Sequence, residues 1–98
     1  MSRPKEYYYG DIKKWIMAMD KLPPQRIQVK VFKSAYAEAI QETANLPNGE
    51  LRLKAIDEIL IKKTRTYTGV AQEIHYDWRT VQNWITSFVN LVGRKAGF

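Results

Sequence analysis

Apolar positions along this chain fall into helical registers separated by two turn clusters. In the first segment Tyr8, Ile12, Trp15, Ile16, Met19 and Leu22 recur at spacings of four, three, one, three and three, which is one face of a helix. Asp11, Lys13, Lys14, Asp20 and Lys21 lie mostly off that face. Gly10 weakens the first turn, so the helix is expected to start at Asp11. Leu22-Pro23-Pro24 ends it, because the residue before a proline is pushed out of the helical region. The second segment reads two ways at its start. Ile27, Val29 and Val31 alternate like a strand, whereas Ile27, Val31 and Ala35 fit helical spacing. A lone short strand has no evident partner, and Lys33 to Ala44 are strong helix formers, so the expected element is a helix from about Val31 to Thr43.

Leu46-Pro47-Asn48-Gly49 is the second turn cluster. Asn48 is the expected N-cap of a third helix, with Glu50 in its first turn, Leu53, Ile56, Ile59 and Leu60 as its apolar stripe, and Lys62 and Lys63 in its last turn. Thr66 and Thr68 then precede a short helix from Gly69 to Ile74, and His75-Tyr76 forms a tight connection. Asp77 is positioned to cap a long amphipathic helix whose inner stripe is Val81, Trp84, Ile85, Phe88 and Val92. Trp78, Arg79, Gln82, Asn83, Thr86 and Asn90 are left for its outer faces. The whole pattern predicts an all-α chain of four to five helices. Residues 1–46 form an N-terminal helical segment suited to oligomerisation, and 47–98 form a unit containing a C-terminal helix-turn-helix.

A helix of about seven residues, a three-residue turn and a second helix is the layout in which a recognition helix is presented to the DNA major groove. Ala71 is small where the two helices would cross, Val70 and Ile74 fill the cleft, and Val81, Trp84 and Ile85 anchor the second helix from behind. An ordinary antiparallel helix pair would show the same apolar positions. The outer face is what differs. Arg pairs bidentately with guanine and Gln or Asn with adenine, so Arg79, Gln82 and Asn83 carry base-reading chemistry where an idle face would more often hold Glu and Lys. Trp78, Arg79, Gln82, Asn83 and Thr86 are the expected base contacts, and Lys62, Lys63, Arg65, Thr66 and Thr68 the expected phosphate contacts.

Charge supports that direction. The 98 residues carry a net charge of +6, distributed as +3 over residues 1–49, −1 over 50–61 and +4 over 62–98. A basic small chain suits an acidic partner such as nucleic acid. Enzyme chemistry is not expected. The single histidine, His75, has no second histidine or cysteine beside it, Asp57 and Glu58 are adjacent and diverge on a helix, and the five glycines are scattered rather than gathered in a phosphate loop. No catalytic residue, cofactor or metal is expected. No apolar run approaches the length of a membrane span and the start MSRPKEYYYG has no apolar signal core, so no membrane association is expected.

Glu50-Leu51-Arg52-Leu53-Lys54-Ala55-Ile56-Asp57, Lys62-Lys63-Thr64-Arg65-Thr66, Gly69-Val70-Ala71 with Ile74-His75, and Phe88 to Phe98 resemble small late-gene transcription activators of phages of Gram-positive bacteria, the RinA-type regulators. The Tyr7-Tyr8-Tyr9-Gly10-Asp11-Ile12 start is a weaker echo. The resemblance covers about half the chain. It implies a C-terminal helix-turn-helix similar to promoter-binding region 4 of sigma factors, double-stranded DNA as ligand, host RNA polymerase as a further partner, and the cytoplasm of a bacterial host as the location. Asp77-Trp78 departs from the more usual Ser-Glu of that pattern, and residues 23–46 match nothing in it. The leading expectation is thus a sequence-specific DNA-binding transcriptional regulator, an activator of phage late genes. The alternative is a small DNA-recognition subunit of a phage packaging terminase. A homodimer through the stripe of residues 8–22 is expected to match a two-fold operator.

Overall fold

The structure is a computed structural model and describes residues 8–97. It is all-helical: α1 (Tyr9–Met17), α2 (Ile27–Ala44), α3 (Gly49–Ile56), α4 (Tyr67–Ile74) and α5 (Trp78–Lys95), with a 3-10 turn at Met19–Lys21 and a π turn at Asp57–Ile61. No strand occurs among the described residues. The helical register of Ile27 prevails over the alternating one, and α2 begins four residues earlier than expected. Val29 and Phe32 then face inward together with Ala35 and Ala39, which a strand could not arrange. Helix α1 likewise begins at Tyr9, with Gly10 inside its first turn. Tyr7 and Phe98 lie outside the described residues.

The organising element is α5. Helices α1, α2, α3 and α4 all pack against it. Val81, Ile85, Val89 and Val92 are completely buried, and Trp84 and Phe88 nearly so. One apolar core runs through the N-terminal and C-terminal halves alike: Ile12 and Ile16 from α1, Phe32 and Ala39 from α2, Ile56 and Leu60 from the third segment, and Val70 and Ala71 from α4 belong to it. Edge-to-face rings stitch the layers, with Trp15 against Phe32 at 5.4 Å and Tyr36 against Phe88 at 5.6 Å between centroids.

Two connections need their particular residues. Asn48 takes the left-handed conformation at φ 60°, and a β-carbon at Gly49 would collide with the Ala44 backbone, so the Asn-Gly pair permits the tight corner between α2 and α3. Asn48 caps α3 through this backbone position, without a side-chain hydrogen bond. At the far end the helix widens. Lys62 N–H donates to the Asp57 carbonyl at 2.8 Å, Thr64 N–H to Glu58 at 2.9 Å, and Lys63 sits at φ 57°. Lys62 and Lys63 therefore stand beyond the helix, on the loop to α4, rather than in its last turn.

The apolar stripe of the first segment is spent inside the chain. Tyr8, Ile12 and Ile16 are buried against the other helices, with Trp15, Met19 and Leu22 half-buried beside them. That stripe offers little free surface for the expected dimer contact.

Trp84 closes one edge of this core: it is 6% exposed, with Tyr76 tilted over its ring at 5.4 Å and the Arg52 guanidinium 5.5 Å away. Trp84→Ala is expected to lower unfolding free energy by about 3–5 kcal/mol, measured by denaturant titration. A midpoint near that of the wild type would contradict this placement.

Candidate nucleic-acid interface

Helix α4, the turn His75–Asp77 and α5 form a closely packed pair, and local chemistry fixes the corner. Thr66 caps α4, its hydroxyl oxygen accepting from Gly69 N–H at 3.1 Å; α4 starts at Tyr67, two residues before the expected Gly69, and Thr68 lies within its first turn. His75 ends α4 in the left-handed conformation at φ 62°, a position glycine usually fills, and Tyr76 N–H donates back to the Ala71 carbonyl at 2.9 Å. Asp77 caps α5 as expected, its carboxylate accepting from Arg79 N–H at 2.8 Å.

The start of α5 is the part left open. Trp78 is 44% exposed, and the Arg79 guanidinium stacks over its ring at 5.5 Å, which narrows the conformations of both side chains. Arg79 is exposed and Gln82 and Asn83 are half-exposed one turn further on. These four of the five expected base-contacting residues share about a turn and a half of helix.

The fifth does not belong with them. Thr86 is 1% exposed and Asn90, expected on the same outer face, is 3% exposed. Helix α1 lies across this polar arc. The Thr86 side chain hydrogen-bonds the Tyr9 hydroxyl, and the Tyr8 ring fills the space over Gly93, where a β-carbon would strike it. Thr86 is thus a buried packing partner and cannot touch a base edge. The signal available in the sequence was Gly93, two turns after Thr86 on the same arc, because a missing side chain on an apparently outer face marks the close approach of another element. Both Tyr8 and Tyr9 are buried by this closure rather than presented for stacking.

The basic residues gather around the loop that enters α4. Lys62 pairs with Asp57 at 3.2 Å, Arg65 with Glu73 at 2.9 Å, and the Lys63 ammonium donates to the Met17 carbonyl at 2.8 Å, which closes the C-terminal end of α1. Glu73 also receives Lys54 at 2.9 Å; this hydrogen bond holds its carboxyl below the usual carboxylate range and Lys54 above the usual lysine value. The Lys62 and Arg65 pairs are exposed and screened by solvent, so a phosphate can replace the carboxylate partner at little cost. Thr66 and Thr68 are exposed beside them, although the Thr66 oxygen already serves the cap.

One basic residue belongs to this group that sequence spacing placed far away. Lys13, on α1, donates to the Tyr67 hydroxyl at 3.4 Å and lies 5.9 Å from that ring, at the first residue of α4. No sequence feature links positions 13 and 67; the packing of α1 on α5 brings them together.

No family model, no curated protein and no solved structure matches this chain. No helix among the described residues is long and apolar enough to cross a membrane.

Burial at the α1–α4–α5 junction pushes the Tyr9 phenol up to about 12, and the proximity of Tyr67 adds to the shift while the Thr86 hydrogen bond opposes it. Because the folded form holds this proton more tightly than the unfolded form, its contribution is fully present below pH 10 and is lost as pH rises from about 10 to about 12. Stability is expected to fall across that window through this group, and Tyr9→Phe should flatten the fall. Denaturant titrations at stepped alkaline pH measure it. Identical slopes in wild type and variant would contradict the burial of that hydroxyl.

Proposed function

We propose that this chain binds double-stranded DNA as a sequence-reading transcriptional regulator, with α4 and α5 acting as a helix-turn-helix and α5 as the recognition helix. The observation that carries the reading is the open first turn and a half of α5, where Trp78, Arg79, Gln82 and Asn83 stand together at the capped end while Thr86, Asn90 and Gly93 further along the same polar arc are packed away. Recognition helices contact base edges mainly with their N-terminal residues, and Arg, Gln and Asn are the side chains suited to bidentate base contacts. Lys62, Lys63 and Arg65 on the loop before α4, with Lys13 alongside, supply the cationic flank that phosphate positioning requires.

The resemblance to RinA-type activators supports placing this regulator at phage late promoters, with host RNA polymerase as a second partner. It is the weaker support, because it covers about half the chain. The DNA-reading proposal stands on the residues alone.

Selection of bound duplexes from a random pool is the direct test, and a single recovered motif is the expected result. On that motif, Arg79→Ala and Gln82→Ala should each weaken binding by about 1–3 kcal/mol while leaving binding to random DNA nearly unchanged. Equal losses on both would remove these residues from the base edges. Thr86→Val, which alters a buried position, should change protein stability without changing which sequence is selected.

Phosphate contacts are read separately through salt. With roughly three to four of these cations engaged, log affinity should fall against log salt with a slope of about −2.7 to −3.6. Lys62→Ala, Arg65→Ala and Lys13→Ala should each reduce that slope by about one, on any sequence. Lys14→Ala serves as the control on α1. If Lys14 and Lys13 behave alike, the DNA surface does not follow the α1–α4 junction.

A further inference from the structure

The outward face of α2 takes no part in the core or in the proposed DNA surface. Ile27 is 76% exposed and Val31, one turn on, is 46% exposed; both border an open groove of about 540 Å³ whose other walls include Trp15, Pro23 and Phe32. The exposed surface continues along the helix through Ser34, Ala37, Glu38 and Gln41 at spacings of three and four, which is the seam geometry of helix pairing. A helix packed only on its inner side would more usually carry long polar residues at all of these positions. Here it carries two branched apolar side chains and two small ones.

Charge on this face is segregated. Arg26, Lys30 and Lys33 flank its N-terminal half, and Glu38 and Glu42 its C-terminal half. A parallel pairing of two such helices would set like charges level with like. An antiparallel pairing about Ser34 sets Lys30 level with Glu38 of the second copy and Arg26 level with its Glu42. It also sets Val31 level with Ala37 of the second copy, where a small residue leaves room for a branched one. Opposed helix dipoles favour the same direction.

We infer that α2 is a homodimer interface, pairing antiparallel with the α2 of a second copy through Ile27, Val31, Ser34 and Ala37 and through Lys30–Glu38 ion pairs related by the two-fold axis. An isologous contact of this kind is self-complementary by construction. The seam from Ile27 to Gln41 is only about 21 Å long, short of the area that standard stable interfaces bury, so the dimer is weak and forms at micromolar concentration. Glu42 already holds Lys95 of its own chain at 2.6 Å, and Glu38 acts on that ammonium only through its charge, with no bond to it, so Lys30 and Glu38 are the pair to test.

Sedimentation of the full chain at low salt, from about 5 to 500 μM, is expected to pass from monomer to dimer. Lys30→Glu and Glu38→Lys place like charges across the seam, and each alone should weaken dimerisation at least about tenfold. Mixed in equal amounts, the two variants should recover a dimer of wild-type affinity, because each then meets the opposite charge at both sites. Both substitutions lie on an exposed helix surface, and circular dichroism checks that the fold is kept. The proposal is overturned if the wild type stays monomeric through this range, if either single variant dimerises like the wild type, or if the mixture fails to associate. None of these outcomes depends on DNA.

Discussion

Everything in this structure depends on α5 being shared. A chain this short cannot give each helix its own core, and here four helices bury their apolar faces against one. The completely buried Val81, Ile85, Val89 and Val92 occupy a side of α5 that a simple amphipathic helix would bury. The unusual part is the opposite flank, where Thr86, Asn90 and Gly93 are buried as well. Burying hydroxyl and amide groups is costly unless they find hydrogen bonds, and the Tyr9 hydroxyl meets that need at Thr86. Helix α1 is thus held by ring packing over Gly93, by that buried polar contact, and by Lys63 at its C-terminal end.

This arrangement sets the size and position of the proposed reading surface. With Thr86, Asn90 and Gly93 covered by α1, α5 presents this polar arc only near the Asp77 cap, where Arg79 stacks on Trp78 and Gln82 and Asn83 follow. The same closure moves α1 next to α4, so that Lys13 reaches Tyr67. A segment that spacing alone separates from the C-terminal half therefore borders the loop of Lys62 and Arg65. Stability and the proposed recognition are linked through one junction: a change at Tyr8, Tyr9 or Gly93 would loosen α1 and alter both what α5 exposes and where Lys13 stands.

Much of the fold was legible because the signals were local. The Asp77 cap, the Asn48-Gly49 corner and the 81–92 stripe each act within a few residues, and each appears where the sequence puts it, whereas α1 ends at Met17, ahead of the Leu22-Pro23-Pro24 break, and a 3-10 turn at Met19–Lys21 fills the interval. The beginning of α2 was misjudged because Ile27, Val29 and Val31 satisfy two periods at once, and only the shared inward face of Val29 and Phe32 decides between them. The open end of the candidate interface could be read from residue chemistry at Arg79, Gln82 and Asn83. Its limit could not, since Thr86 and Asn90 are polar and polarity alone reads as exposure. Their burial follows from a contact between positions about 80 residues apart in sequence, which periodicity along one helix does not encode. The placement of Lys13 escaped for the same reason.

The central claim is that DNA meets this protein at the start of α5 and the loop before α4, and nowhere further along α5. Titrating isotope-labelled protein with its selected duplex and following backbone amide shifts by NMR tests this directly. Large shifts are expected at residues 62–69 and 75–83 and around Lys13, with residues 86–93 nearly unmoved because α1 covers them. Shifts centred on 86–93, or no shifts at 75–83 under saturating DNA, would contradict the account.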